Sequence, residues 1–157
     1  MRNVLFYAAA AAVLSGCSDA PGQTDEAAAG EPKAEIGTSV LTRAGAVTAQ
    51  EDWGTGVTYF AGESAGVTDL LSGMATIDPG REIHPPHKHH EEEFLMVLEG
   101  AGEWTVGEES FPAAAGDMLY AAAWDLHGIR NTGDEPLRFV FWKWQAKGVP
   151  VPQDPAG

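Results

Sequence analysis

The sequence predicts an all-β domain of the sandwich or barrel kind, and two observations support this fold class. Short apolar segments recur along the chain at short intervals, with little sequence typical of helices between them. The segments between them are rich in glycine and proline, of which the 157 residues contain 19 and 10. A chain of this length has room for one domain. The expected strands are residues 57–60, 74–78, 94–98, 104–106, 118–122, 127–131 and 137–144.

Turn residues separate the expected strands. Pro79 and Gly80 form a strong turn dipeptide directly after the segment 74–78. Residues 94–98 are apolar throughout, which is typical of a strand buried on both faces. Residues 112–116 are predicted to form a bend between strands.

The net charge of the chain excludes one class of partner. The formal charge at pH 7 is −14. Binding to nucleic acid requires a basic surface, so we expect no nucleic-acid partner. Solubility alone accounts for the acidity.

A cluster of histidines indicates a metal site. Four of the five histidines lie within residues 84–90, and three glutamates follow at once. Imidazole and carboxylate are good ligands for a first-row divalent metal. In an extended strand His87 and His89 point the same way, and Glu93 keeps that direction if the strand continues. Three ligands leave the site incomplete, and the fifth histidine, His127, supplies a fourth. As an alternative, a histidine-rich tract can be a metal-scavenging surface or a solvated loop.

The spacing of these residues resembles the first of the two motifs of the cupin superfamily. That motif is a glycine, then His-x-His, three or four residues, a glutamate, six residues and a glycine. His87, His89, Glu93 and Gly100 match it, and the leading Gly80 is displaced by one residue.

The second cupin motif resembles the segment around the fifth histidine. Gly116, His127 and Asn131 are in register with it. Ala122 and Trp124 stand where the family has proline and glycine, which affects the turn before His127. The resemblance extends over about residues 73–144.

The resemblance implies a cupin-type double-stranded β-helix, which is a jelly-roll barrel, with a metal inside the barrel. His87, His89, Glu93 and His127 would hold one divalent transition metal: Fe, Mn, Ni, Zn or Cu. Glu93 would also act as a catalytic residue, because its charge tunes the metal.

Further residues are candidates for the substrate pocket, although aromatic residues more often belong to a core. His84 is expected at the rim, and Trp124 and Trp142 are expected to shape the pocket. Tyr120 is a candidate catalytic acid or base, because a phenol near a metal can have its pKa lowered. Lys143 is expected to point outward into solvent.

The amino terminus resembles a bacterial lipoprotein signal. Residues 1–16 have a basic start and a short apolar run, and Cys17 follows Leu-Ser-Gly. Cys17 would be lipidated, and the serine after it resembles an outer-membrane sorting signal of Gram-negative bacteria. The alternative is an ordinary signal peptide cut near Ala20. Residues 17–37 are expected to form a flexible tether, 38–147 the cupin domain and 148–157 a disordered tail.

The resemblance leaves two function classes open. The first is a metal-dependent enzyme at the cell envelope that acts on a small organic, anionic substrate. Dioxygenase, lyase, decarboxylase and isomerase reactions are its candidates. The alternative is a non-catalytic module that binds or senses a sugar, a uronate or a metal ion. The expected partners are a small molecule, the membrane through the lipid on Cys17 and, in a homodimer, a second copy of the chain.

Overall fold

The computed structural model describes residues 33–155. The predicted signal peptide, Cys17 and most of the predicted tether lie outside the described residues. Within residues 33–155, no helix is long and apolar enough to cross a membrane. The described elements are a short 3₁₀ helix, Arg43–Gly45, and strands β1 (Val47–Glu51), β2 (Gly54–Gly62), β3 (Val67–Ile77), β4 (Glu92–Glu99), β5 (Ala101–Val106), β6 (Glu109–Ala114), β7 (Met118–Ala121), β8 (His127–Arg130) and β9 (Leu137–Ala146).

The strands form two antiparallel sheets. Six strands pair in the order β1-β2-β3-β9-β4-β7, and three pair in the order β6-β5-β8. Strands distant in sequence lie side by side, as β3, β9 and β4 do. The predicted all-β jelly roll is confirmed.

The core is formed by alternate residues of the paired strands. Strands β4 and β9 show this alternation: Leu95, Val97, Leu137 and Phe139 are buried, while the residues between them are more exposed. The buried cluster also includes residues of both sheets, such as Trp104 of β5. Burial of such side chains typically contributes about 1.5–3 kcal/mol each.

The sequence pattern did not predict strands β1 and β6. All five residues of β1 are exposed, so the strand lacks the apolar alternation that marks a half-buried strand. Strand β6 contains Pro112, which lies opposite Glu103 at the edge of the three-stranded sheet. Edge strands tolerate proline because its missing N–H does not interrupt a central ladder.

Both ends of the described chain contact the barrel. Residues 34–36, the end of the predicted tether, pair with Glu63, whose main-chain N–H donates to the carbonyl of Ala34 at 2.9 Å. Past residue 148, the indole Nε1 of Trp124 donates to the carbonyl of Pro152 at 2.7 Å. Lys88 and Asp154 form an ion pair at 2.8 Å. These contacts involve residues of the predicted tether and of the predicted tail, while the domain limits at 38 and 147 and the disorder of residues 148–157 stay predictions.

Candidate metal centre

Main-chain hydrogen bonds join the two halves of the site. The N–H of His87 donates to the carbonyl of His127 at 2.9 Å, and the N–H of His127 donates back to His87 at 2.9 Å. Strand β4 does not extend back to these histidines, since it begins at Glu92. No continuous strand therefore runs through His87, His89 and Glu93, and the bridge to His127 positions His87 instead.

The structure nevertheless brings the four predicted ligands together. One ligand atom of each of His87, His89, Glu93 and His127 lies within 4.8 Å of the others. Oε2 of Glu93 is 3.1 Å from Nε2 of His89 and 3.1 Å from Nε2 of His127. Glu93 and His127 are buried, and the other two are half-buried. Four nitrogen and oxygen donors at this spacing could hold one metal ion.

Main-chain carbonyls orient two of the imidazoles. Nδ1 of His89 donates to the carbonyl of Glu91 at 3.0 Å, and Nδ1 of His127 donates to the carbonyl of Asp125 at 2.8 Å. A donated Nδ1–H fixes the ring so that its other nitrogen points inward as a ligand. This is the usual support for a metal-binding histidine, and in both residues the inward Nε2 faces Glu93.

The third imidazole has an unsatisfied nitrogen. Nδ1 of His87 is buried and has no hydrogen-bond partner among the described residues. A buried polar atom without a partner costs free energy and requires an explanation. A metal ion fits this donor set, because it would take a lone pair from each imidazole and balance the Glu93 carboxylate.

The surroundings favour the ligand form of Glu93 and of His87, whereas the pKa of His127 is shifted the other way. Burial raises the pKa of the Glu93 carboxyl, but hydrogen bonds from His127 and His89 outweigh it and lower the pKa to about 2. Burial and the neighbouring imidazoles, beginning with His84, lower the pKa of His87 to about 4. Burial lowers the pKa of His127, but its hydrogen bonds to Glu93 and a main-chain carbonyl raise it above the ordinary value. A carboxylate and a neutral imidazole are the ligand forms of these residues.

The cluster lies beside a cavity of about 230 Å³. His84, His87, Glu93, His127 and Lys143 supply its polar surface. The remaining side chains of its wall are apolar: Leu71, Ile83, Leu95, Ile129, Phe139 and Phe141. Such a cavity, with few polar groups that converge on one point, is typical of a small-molecule site.

The other predicted pocket residues occupy different places. His84 lies at the exposed rim, where its ring centroid is 4.1 Å from that of His87. Trp124 is not among the described residues that line the cavity, and it contacts the carboxy-terminal segment instead. The pocket role of Trp124 is contradicted by this position, and a role for His84 in substrate binding stays a prediction.

Tyr120 and Trp142 lie on the outer face of the six-stranded sheet. Both flank Phe94, with ring centroids 5.0 and 5.8 Å from it. The side chain of Tyr120 is 51% exposed, and burial together with Glu92 raises the pKa of its hydroxyl. This placement contradicts the predicted lowered pKa and catalytic role of Tyr120, as well as the predicted pocket role of Trp142.

The sequence pattern missed one functional candidate, Lys143, and the structure places the side chain of Glu91 between Lys143 and His89. Lys143 lies opposite Glu93 and therefore points into the barrel, contrary to expectation. Its Nζ donates to Oε1 of Glu91 at 3.2 Å. The other carboxylate oxygen of Glu91 is 3.3 Å from Nδ1 of His89. Glu91 lies two residues before Glu93, whereas the direction of Lys143 depends on the register of β9 against β4, which the sequence pattern does not give.

The unusual turn before His127 keeps the conformation that glycine would adopt. Trp124 has φ 68, in the left-handed region. A non-glycine residue there costs roughly 1–2 kcal/mol. Its N–H donates to the carbonyl of His89 at 2.7 Å, and the N–H of Asp125 closes the turn on Ala122 at 3.1 Å. The substitution in the motif therefore leaves the turn intact and links it to the His89 loop.

The fold and the site define a double-stranded β-helix domain with a histidine and glutamate cluster inside the barrel. The family model described as "Cupin domain" matches residues 73–143. A Cupin 2 conserved barrel domain protein from Salinispora arenicola aligns with a TM-score of 0.53 and 20% identity, over 70% of this chain and 89% of that one. This likeness shows the fold.

Two curated relatives show similarity in sequence. The 5-nitrosalicylic acid 1,2-dioxygenase of a Bradyrhizobium species is 34% identical over 58% of this chain and 42% of its own length. The dimethylsulfoniopropionate lyase DddW of Ruegeria pomeroyi is 34% identical over 54% of each chain. The chain spans about half the length, or less, of the curated relatives it matches. Residues 73–143 of the chain belong to the cupin superfamily.

Proposed function

We propose that the protein is a metal-dependent enzyme that acts on a small, anionic organic substrate at the cell envelope. The observation that carries this proposal is the convergence of four metal-ligand side chains beside an apolar cavity. A ligand cluster on a surface loop would offer no such cavity. Here the donors and the apolar walls share one space inside the barrel.

His87, His89, Glu93 and His127 would hold the metal, and their mixed donors suit Fe, Mn, Ni, Zn or Cu. When bound, such a metal polarises a carbonyl or carboxylate, or acidifies a bound water. The carbonyls of Glu91 and Asp125 hold two of the imidazoles in orientation. The apolar walls limit the access of water and hold the substrate beside the cluster.

The names of the relatives are consistent with chemistry on small organic molecules. One is named as a dioxygenase of 5-nitrosalicylic acid and another as a lyase of dimethylsulfoniopropionate. For this chain, dioxygenase, lyase, decarboxylase and isomerase reactions are all candidates, because fold does not determine reaction.

The test is metal analysis followed by a substrate panel. The full chain is purified without chelator and without a nickel affinity tag, and its metal content is measured by mass spectrometry. The panel contains uronates, keto acids, phenolics and sulfonio acids, with oxygen uptake recorded throughout. We expect one metal per chain and turnover that stops on metal removal. Calorimetric binding without any product over hours would instead assign a binding or sensing module.

We further propose that the enzyme is held at the outer membrane, facing the periplasm, through a lipid on Cys17. The support is the lipoprotein-like sequence before Cys17, which is the only cysteine of the chain. Mass spectrometry of the membrane fraction should find a diacylglyceryl cysteine at this position and no residues 1–16. Native protein recovered free of membranes would contradict the anchor.

A further inference from the structure

The cavity contains a positive charge that does not belong to the metal cluster. Of the described residues that line it, Lys143 is the only lysine or arginine. Lys143 lies opposite Glu93 on β4 and opposite Leu71 on β3, so three strands place these side chains on one face of the sheet. The Lys143 side chain is 25% exposed, and the residue forms part of the cavity wall.

The protein uses only part of the hydrogen-bonding capacity of the Lys143 ammonium. Nζ of Lys143 carries three donors, and one is used by Glu91 at 3.2 Å. Glu91 is itself shared, because its second oxygen is 3.3 Å from Nδ1 of His89. The ion pair holds Lys143 at a fixed position beside the cluster and leaves donors that can face the cavity.

A count of charges selects the substrate class. Glu93 and a divalent metal sum to about +1, the Lys143–Glu91 pair is neutral, and neutral imidazoles add nothing. A bound monoanion makes the net charge of the cavity zero, whereas a bound dianion would make it negative. The apolar walls offer few partners for hydroxyl groups, and burying such groups without hydrogen bonds is unfavourable. A polyhydroxylated sugar or a phosphate monoester is therefore a poor fit.

We propose that Lys143 is the specificity-determining residue that binds the carboxylate of a small monoacid with an apolar body. The body of this ligand packs against the apolar walls, and Lys143 sets its direction relative to the metal cluster. The inference rests on the proposed function and goes beyond it by naming the substrate class and the residue that selects it.

The test uses 4-fluorobenzoate, whose binding to the full chain in detergent is followed by ¹⁹F NMR. Cobalt(II)-loaded and metal-free protein are titrated in parallel, and the cobalt absorption bands give a second measure of binding. 4-Fluorobenzamide is the neutral partner of the probe, phenyl phosphate the dianion and glucuronate the hydroxylated monoacid. Lys143→Met removes the charge and keeps the length. Lys147→Met is the matched control, because Lys147 pairs with Glu63 and does not line the cavity.

We expect the wild type to bind 4-fluorobenzoate at least roughly tenfold more tightly than each of the other three compounds. Lys143→Met should lose about tenfold or more in affinity for the acid, with unchanged cobalt content and unchanged affinity for the amide. Lys147→Met should match the wild type.

Three outcomes would overturn the inference: equal affinity of Lys143→Met and wild type for the acid, no binding of the acid by the wild type at millimolar concentrations, or tighter binding of glucuronate or phenyl phosphate. The failure of the proposed function is distinct, since it would appear as absent turnover in the substrate panel by protein that binds cobalt. In that case the comparison of Lys143→Met with wild type in the cobalt-loaded titration still decides the role of Lys143.

Discussion

The two faces of the β4–β9 strand pair differ completely in chemistry. The inner face carries Glu93 and Lys143, which lie directly opposite each other beside the cavity. The outer face carries Phe94 and Trp142, which pair one residue further along and stack at 5.8 Å. Because successive side chains of a strand point to opposite faces, a shift of one residue separates a metal ligand from an aromatic surface. Residues that are adjacent in sequence on these strands therefore do not belong to the same site.

The largest effect is expected when two metal ligands inside the barrel are removed. His89→Ala with His127→Ala should reduce metal affinity by at least about a hundredfold, because two donors are lost. Mutation of a residue that only hydrogen-bonds to a ligand already lowers metal affinity by about ten- to a hundredfold. Metal content after dialysis is the measurement. His90→Ala is the control, since His90 is adjacent in sequence and outside the four-residue cluster. Stoichiometric metal in the double variant would refute the site.

Core and outer aromatic residues should differ in their effect on stability. Phe139 is 2% exposed, and Phe139→Ala should lower the free energy of unfolding by about 3–5 kcal/mol. Tyr120 is 51% exposed, and Tyr120→Ala should cost less than about 1 kcal/mol, chiefly through the lost contact with Phe94. Denaturant titration of both variants tests the difference. Similar costs for the two variants would show that the outer aromatic surface is part of the core.

Glu92 and Glu93 are neighbours in sequence but lie on opposite faces of β4, so substitutions of the two residues test the two faces separately. Glu93→Gln keeps the shape of the side chain and raises the charge of the site by one unit. We expect much of the metal to remain and turnover to fall by about ten- to a hundredfold. Glu92→Gln, on the exposed neighbour, should leave turnover and metal content unchanged. Full activity of Glu93→Gln with bound metal would show that the carboxylate charge is not needed.

The smallest effect is expected for the phenol of Tyr120. Tyr120→Phe removes only the hydroxyl from an exposed side chain, so metal content and turnover should stay within about twofold of the wild type. Steady-state kinetics on the substrate found by the panel measures this. A loss of tenfold or more would restore Tyr120 as a catalytic residue.

The sequence predicted the four clustered residues because each carries a recognisable side chain at a spacing that resembles a known motif. It could not predict the direction of Lys143, since Phe139 to Trp142 are apolar without alternation and give no sign of which face is inner. That direction depends on the register of β9 against β4, which is a contact between distant segments. The misplacement of Tyr120 and Trp142 has the same cause. Trp124 was misplaced for another reason, because its partner Pro152 lies in a segment without periodicity.

The reciprocal main-chain bonds between His87 and His127 have a consequence for how such a site evolves. Any residue other than proline can make these two bonds, because they use no side-chain atom. The scaffold that presents the ligands is thus independent of the ligands' identity. Exchanging an imidazole at either position for a carboxylate or a thiolate changes the hardness of the donor set and the metal it prefers. Descendants of this chain can acquire a new metal, and with it a new reaction, by single substitutions that leave the backbone unchanged.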